Sequence, residues 1–155
     1  RTMNVMMTIN ALCLFSITDF LDEMNSLREK YIDKTPLLMT LNILRFPSFQ
    51  SVGTLPEEIR LERAEHLQNW VETFIKSKPS YYNDTDLWGL ANQIYRLCDY
   101  LREVTQGHRF ASDVRSRQKD FKSFYQQYDI RRGKNFVETF PELEEFYNFC
   151  KTIQI

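Results

Sequence analysis

Glycine is scarce, with four in 155 residues, and proline is hardly commoner at five. A chain this poor in glycine carries no glycine-rich loop to cradle a phosphate, and its composition suits helices. Histidine occurs twice, at His66 and His108, which works against a histidine-rich metal site. The cysteines are Cys13, Cys98 and Cys150, odd in number and far apart. They form no disulfide framework, no pair has metal-ligand spacing, and a reducing, cytoplasmic compartment is expected. No apolar run approaches the roughly 18 residues of a membrane span. The formal net charge of -1 gives no global field toward nucleic acid or an anionic membrane. The short apolar segment behind Arg1 leads straight into a helix signal, without the small-residue cleavage site of a signal peptide. A chain that opens inside a strand pattern is expected to be a piece of something longer.

Aromatic residues are plentiful, with 12 Phe and 8 Tyr. Asn4 to Leu14 reads as a strand, because Val5, Met6, Met7, Ile9 and Leu12 form a near-continuous apolar run. Such runs fit strands buried on both faces, as in a parallel sheet covered by helices. Ser16 and Asp19 have capping-box spacing, and a helix from about Ile17 to Tyr31 carries Phe20, Leu21, Met24 and Leu27. A second strand runs from Leu37 to Leu44, which completes a βαβ unit. Two strands alone make a poor sheet, so further strands are expected upstream of Arg1. Arg45 to Ser51 is an aromatic, polar loop. Thr54 and Glu57 then have capping-box spacing around Pro56, and the helix beyond carries Ile59, Leu67, Trp70, Val71 and Phe74 up to a break at Ser77–Ser80. The next helix starts near Asn83 or Asp84, has an apolar stripe from Leu87 to Leu101, and is expected to stop at Gly107. A more polar helix begins near Ser112, Asp129 to Asn135 reads as a basic turn, and Thr139, Pro141 and Glu142 open a last helix.

Polar residues set into apolar strands need partners, since an unpaired buried amide costs about 1–3 kcal/mol. Thr8 and Asn10 on the first strand, and Asn42 and Arg45 at the end of the second, are therefore the leading site candidates, with structural hydrogen bonds as the competing explanation. In α/β sheets ligands bind at the carboxyl ends of strands. Arg131, Arg132 and Lys134, with Lys119, Lys122, Tyr125 and Tyr128 upstream, have the interleaving that can grip phosphates and stack bases. Asp113, Asp120 and Asp129 dilute that charge, so nucleic acid is not the expected partner. Glu142, Glu144 and Glu145, like Glu57, Glu58 and Glu62, sit where acidic residues offset a helix dipole rather than where acid–base chemistry needs them. Neither histidine has a visible nucleophile beside it. Cys98 falls on an apolar helical stripe as a small core residue, while Cys13 lies near the strand end.

Several segments carry a resemblance. Thr8-Ile9-Asn10 with Ser16-Ile17-Thr18-Asp19-Phe20-Leu21 resembles a late barrel strand and following helix of radical S-adenosylmethionine (radical SAM) enzymes. Asp120 to Phe124 and Gln127 to Leu143 resemble the tail of twitch-domain-containing radical SAM proteins of phage and bacterial type, and Arg45 to Val52 with Leu55-Pro56 is similar to an internal segment of that group. The resemblance implies an α/β, mostly helical chain. Residues 1–52 would be the βαβ end of a partial TIM-like barrel, with two parallel strands, and 53–155 a helical C-terminal cap. It also implies S-adenosylmethionine and a [4Fe-4S] cluster as cofactors of the full-length protein, with Asn10 and Thr8 touching the cofactor. Asn42 and Arg45, from their place at the strand end, are expected to meet the substrate, a peptide or small molecule, Arg45 through a carboxylate of the substrate or of the cofactor's methionine moiety. The family's Cys-x3-Cys-x2-Cys loop has no counterpart here, so no metal ligand is assigned, no complete catalytic site is expected, and the partner implied is the missing N-terminal half. An autonomous helical module binding protein or nucleic acid is the alternative.

Overall fold

The structure is a computed structural model that describes residues 1–103 and 108–154. Strand β1 (Met3–Ile9), helix α1 (Ile17–Tyr31) and strand β2 (Leu37–Ile43) form the βαβ unit. The strands pair in parallel, with Met3 opposite Leu37 and Ile9 opposite Ile43. The helix occupies its expected bounds, but β1 is shorter than the span from Asn4 to Leu14. The Asn10 side-chain oxygen accepts the Leu12 N–H at 2.9 Å, so a local turn takes a donor that a continuing strand would need.

Side chains alternate across the pleat. Ile9, Leu37 and Met39 are buried, with Val5, Met7, Leu41 and Ile43 packed beside them. Asn4, Met6, Thr8 and Asn42, on the opposite face, are exposed. The expectation of strands buried on both faces is therefore overturned: α1 and a later helix press on β2, and the other face of the pair is open.

Beyond β2, two 3₁₀ turns (Ser48–Gln50 and Val52–Thr54) lead into α2 (Glu57–Ser77), which packs along α3 (Asp84–Glu103). Neither expected capping box forms. Ser16 donates its hydroxyl to the Cys13 carbonyl at 3.2 Å instead of accepting from the helix. Thr54 is fully buried and donates to the Ser48 carbonyl at 3.1 Å, which leaves Pro56 at the N-cap of α2. Asn83 does cap α3, accepting the Asp86 N–H at 2.7 Å. Lys78, at φ 40°, ends α2 within the Ser77–Ser80 break.

Helix α4 (His108–Arg132) starts before Ser112 and runs through half of the expected basic turn. Gly133, at φ +61°, ends it, and the Lys134 N–H reaches back to the Asp129 carbonyl at 3.1 Å. The expected stop at Gly107 lies outside the described residues. The single last helix becomes a turn of helix, α5 (Phe136–Thr139), a 3₁₀ turn at Pro141–Leu143, and α6 (Glu144–Lys151). Phe121 of α4 anchors this end, with the Tyr125, Phe136 and Phe146 rings at 4.7, 5.6 and 5.3 Å. One cluster of buried side chains runs from Ile9 to Cys150. Among the described residues no helix is long and apolar enough to cross a membrane.

Candidate functional site at the carboxyl end of the strand pair

The ladder phase follows from its two ends. The Met3 N–H donates to the Pro36 carbonyl at 3.0 Å, and the Leu44 N–H donates to the Ile9 carbonyl at 2.9 Å. Odd-numbered residues of β1 thus turn their backbone groups toward β2, and odd-numbered residues of β2 turn theirs away from β1. The outer edge of β2 is partly closed by side chains. Gln93 of α3 accepts the Leu41 N–H at 2.7 Å and donates to the Met39 carbonyl at 3.0 Å, taking both positions a parallel neighbouring strand would occupy. Arg28 of α1, almost wholly buried, donates to the Leu37 carbonyl at 2.7 Å. Its other nitrogens reach the Tyr81 carbonyl at 2.8 Å and Asp86 at 2.9 Å, with its guanidinium 4.0 Å from the Tyr82 ring centre.

The outer edge of β1 has no such closure. Asn4, Met6 and Thr8 direct their backbone groups outward, and among the described residues the one contact to them is a weak 3.9 Å approach of the Cys13 thiol to the Thr8 carbonyl. Met3 and Met6 are 56% and 68% exposed.

The sequence candidates gather at one end. Thr8 and Asn42 are register partners, side by side on the open face, with the Thr40 hydroxyl donating to the Asn4 amide oxygen at 3.1 Å nearby. Asn10 and Arg45 follow directly after their strands at the same end. Asn10 is partly committed, because its side-chain oxygen makes the turn to Leu12 and its own N–H donates to the Cys13 sulfur at 3.2 Å. Its Nδ2 has no partner among the described residues. Arg45 is exposed, 5.9 Å from the Tyr100 ring centre, and lines a groove of about 350 Å³ with Phe46, Ser48, Ser116 and Asp120. Asn10 does not line that groove.

The two phenylalanines of the aromatic loop have different surroundings. Phe46 is 84% exposed, whereas Phe49 packs against Phe124 of α4 with ring centres 5.2 Å apart. Gln50 joins three elements. Its carbonyl accepts the Ala11 N–H at 2.8 Å, and its side-chain oxygen accepts the Tyr125 hydroxyl at 2.6 Å. Burial pushes the Tyr125 phenol up to about 12. Tyr125 is thereby withdrawn from the basic–aromatic surface, while Arg131, Arg132, Lys134 and Tyr128 remain exposed. Gln118 donates to the Thr54 carbonyl at 3.2 Å and seats α4 on the same loop.

Burial disfavours the thiolate form of all three cysteines. Burial pushes Cys98 up to about 11 and Cys150 up to about 12, and raises Cys13 as well. Among the described residues no group of three or more His, Cys, Asp or Glu is placed to hold a metal ion. The His66 ring hydrogen-bonds the Thr18 hydroxyl at 3.0 Å, joining α2 to α1.

Sequence reasoning missed Gln93 and Arg28. Arg28 lies in phase with Ile17 and Leu21 on the buried face of α1, a position where a cation requires partners. Gln93 borders the Leu90–Ile94 stripe, where a side chain reaches a neighbouring element. Comparison with protein-family models, with curated protein sequences and with solved structures gave no match.

Proposed function

We propose that this chain is the closing portion of a radical SAM enzyme, the last two strands of an open, partial barrel followed by a helical cap. The observation that supports the reading is the asymmetry of the two sheet edges. β2 has three of its outer backbone groups, at Leu37, Met39 and Leu41, taken by Gln93 and Arg28, as befits a terminal strand, while β1 offers Asn4, Met6 and Thr8 to a preceding strand. The open face, with Thr8 and Asn42 at its carboxyl end, would then look into the barrel.

In that setting the Thr8 hydroxyl and the free amide of Asn10 are suited to ribose hydroxyls of S-adenosylmethionine. Asn42 and Arg45 would meet the substrate, a peptide or small molecule, with Arg45 offering a fork to a carboxylate. The cysteines present do not fit a [4Fe-4S] cluster: two are core thiols and the third bonds the Asn10 backbone. The cluster and the electron it passes to S-adenosylmethionine would have to come from another segment, and no step is assigned to this chain's thiols.

The test is the longer reading frame. A product carrying a Cys-x3-Cys-x2-Cys loop ahead of Arg1, reconstituted anaerobically and reduced, is expected to release 5′-deoxyadenosine from S-adenosylmethionine. A frame without that loop, or stoichiometric iron and sulfide bound by this chain alone, refutes the reading.

A further inference from the structure

We propose that this chain, on its own, forms a two-fold dimer by antiparallel pairing of β1 with β1 of a second copy, giving a four-stranded sheet in the order β2–β1–β1–β2. The inference uses the bare edge alone and does not rest on the radical SAM reading. Where a preceding strand is present it takes that edge, and where none is present the edge is open to a second copy.

An edge strand is ordinarily protected by charge, proline, a bulge or a covering element. Met3-Asn-Val-Met-Met-Thr-Ile9 has none of these, and no charged residue occurs between Thr2 and Thr18. Two copies can therefore approach without like-charge repulsion. On the other edge of the same sheet Gln93 and Arg28 occupy outward groups of Leu37, Met39 and Leu41, which leaves β1 as the side on which the sheet can grow.

The strand is also complementary to itself, most fully in one register. Antiparallel ladders alternate hydrogen-bonded and non-hydrogen-bonded pairs, and only outward-directed residues can make the bonded ones. In β1 these are Asn4, Met6 and Thr8. Centring the two-fold axis on Met6 sets Met6 opposite Met6 and Asn4 opposite Thr8 on either side, which closes about six backbone hydrogen bonds. The same register sets Met3 beside Ile9 and Val5 beside Met7, so the apolar face of one copy continues that of the other. The polar Asn4–Thr8 pairs flank the methionines on the open face. A one-residue slip would direct already bonded groups at the partner, and a two-residue slip, with the axis on Val5 or Met7, would keep two bonded pairs within Met3–Ile9 against three, so the Met6 register is favoured.

Light scattering on the purified chain is expected to give about twice the 18.7 kDa monomer mass. Met6→Lys places a lysine at an exposed position and at the axis. It is expected to keep the monomer's circular dichroism and to halve the measured mass. In a Cys13→Ser background, Met6→Cys is expected to form an intermolecular disulfide. Asn4→Cys is not, because its symmetry mates lie about 14 Å apart along the strands. A monomeric native chain overturns the proposal, as does a dimer that Met6→Lys leaves intact or that crosslinks equally through positions 4 and 6. These outcomes leave 5′-deoxyadenosine release by the longer protein untouched, so the two readings fail separately.

Discussion

Replacing Gln93 by Ala strips β2 of the amide that stands in for a neighbouring strand. The Leu41 N–H loses its acceptor at 2.7 Å and the Met39 carbonyl its donor at 3.0 Å. Both groups sit at a part-buried edge, where water replaces some of what is lost. An unsatisfied backbone group costs about 1–3 kcal/mol when fully buried, so the pair together is expected to cost about 2 kcal/mol. For a chain of this size that is a fall of about 4–8 °C in Tm. The assay is urea unfolding combined with amide exchange at Leu41, which should quicken well beyond that of amides in α3. Gln93→Glu sharpens the test. A carboxylate still accepts from Leu41, but it repels the Met39 carbonyl, whereas the protonated acid donates to it. The folded-state pKa of the introduced carboxyl is therefore raised above its unfolded value of about 4.3. The stability linked to that proton is fully present below about pH 4 and is lost as pH rises through the folded pKa. Gln93→Glu should gain on the native chain as pH falls through this window. An unchanged Leu41 exchange rate in Gln93→Ala, with no shift in the urea midpoint, would refute the edge-closure argument.

Three further outcomes follow from buried groups. Arg28→Ala leaves Asp86 and the Leu37 and Tyr81 carbonyls without their cation, and a loss of about 3–5 kcal/mol is expected by urea unfolding, enough to unfold much of the chain. Tyr82 and Tyr125 are both pushed up to about 12 by burial, above the ordinary tyrosine value near 10. Because the folded pKa values are raised, the stability they contribute is present below about pH 10 and is lost as pH climbs toward 12, which absorbance titration at alkaline pH with parallel circular dichroism will follow. Of the three thiols, Cys13 is half-buried while Cys98 and Cys150 are buried, so a thiol reagent is expected to label Cys13 first and the others only on unfolding.

Much of the fold was legible because its signals were local. The Leu87-to-Leu101 stripe of α3 repeats at helical spacing, and all seven of its apolar members are buried. Parallel pairing followed from an apolar run, a helix and a second run in order. What failed were inferences in which a side chain chooses between partners. Ser16 and Thr54 had the spacing of capping residues, but each hydroxyl found a carbonyl in the preceding turn. Asp129 to Arg132 looked like turn sequence, yet the helix continues there because the Phe121–Tyr125–Phe136 cluster packs this end of α4. Burial on both strand faces was inferred from a near-continuous apolar run, and such a run does not say whether a second layer exists to cover the second face.

The site was legible in position more than in chemistry. Thr8, Asn10, Asn42 and Arg45 do share one end of the sheet, because parallel strands put both carboxyl termini on the same side. Their chemistry divides. Thr8 and Asn42 are adjacent and exposed on the open face, free to meet a ligand there. Asn10 has one half of its amide committed to the turn that ends β1, and Arg45 leans toward Tyr100 and the α4 groove. An alanine at position 10 therefore removes the turn and any ligand contact together, and loss of S-adenosylmethionine affinity in a longer protein would not separate them. Asn10→Asp does separate them, since a carboxylate keeps the acceptor for the Leu12 N–H and puts a charged acceptor in place of the Nδ2 donor. If Nδ2 meets a ribose hydroxyl, the aspartate variant should fold like the parent and bind S-adenosylmethionine with a changed affinity. If Asn10 serves the turn alone, the aspartate variant should match the parent in both respects while alanine loses stability. Thr8→Val, at an exposed position whose hydroxyl makes no hydrogen bond among the described residues, tests the neighbouring contact with no turn to disturb.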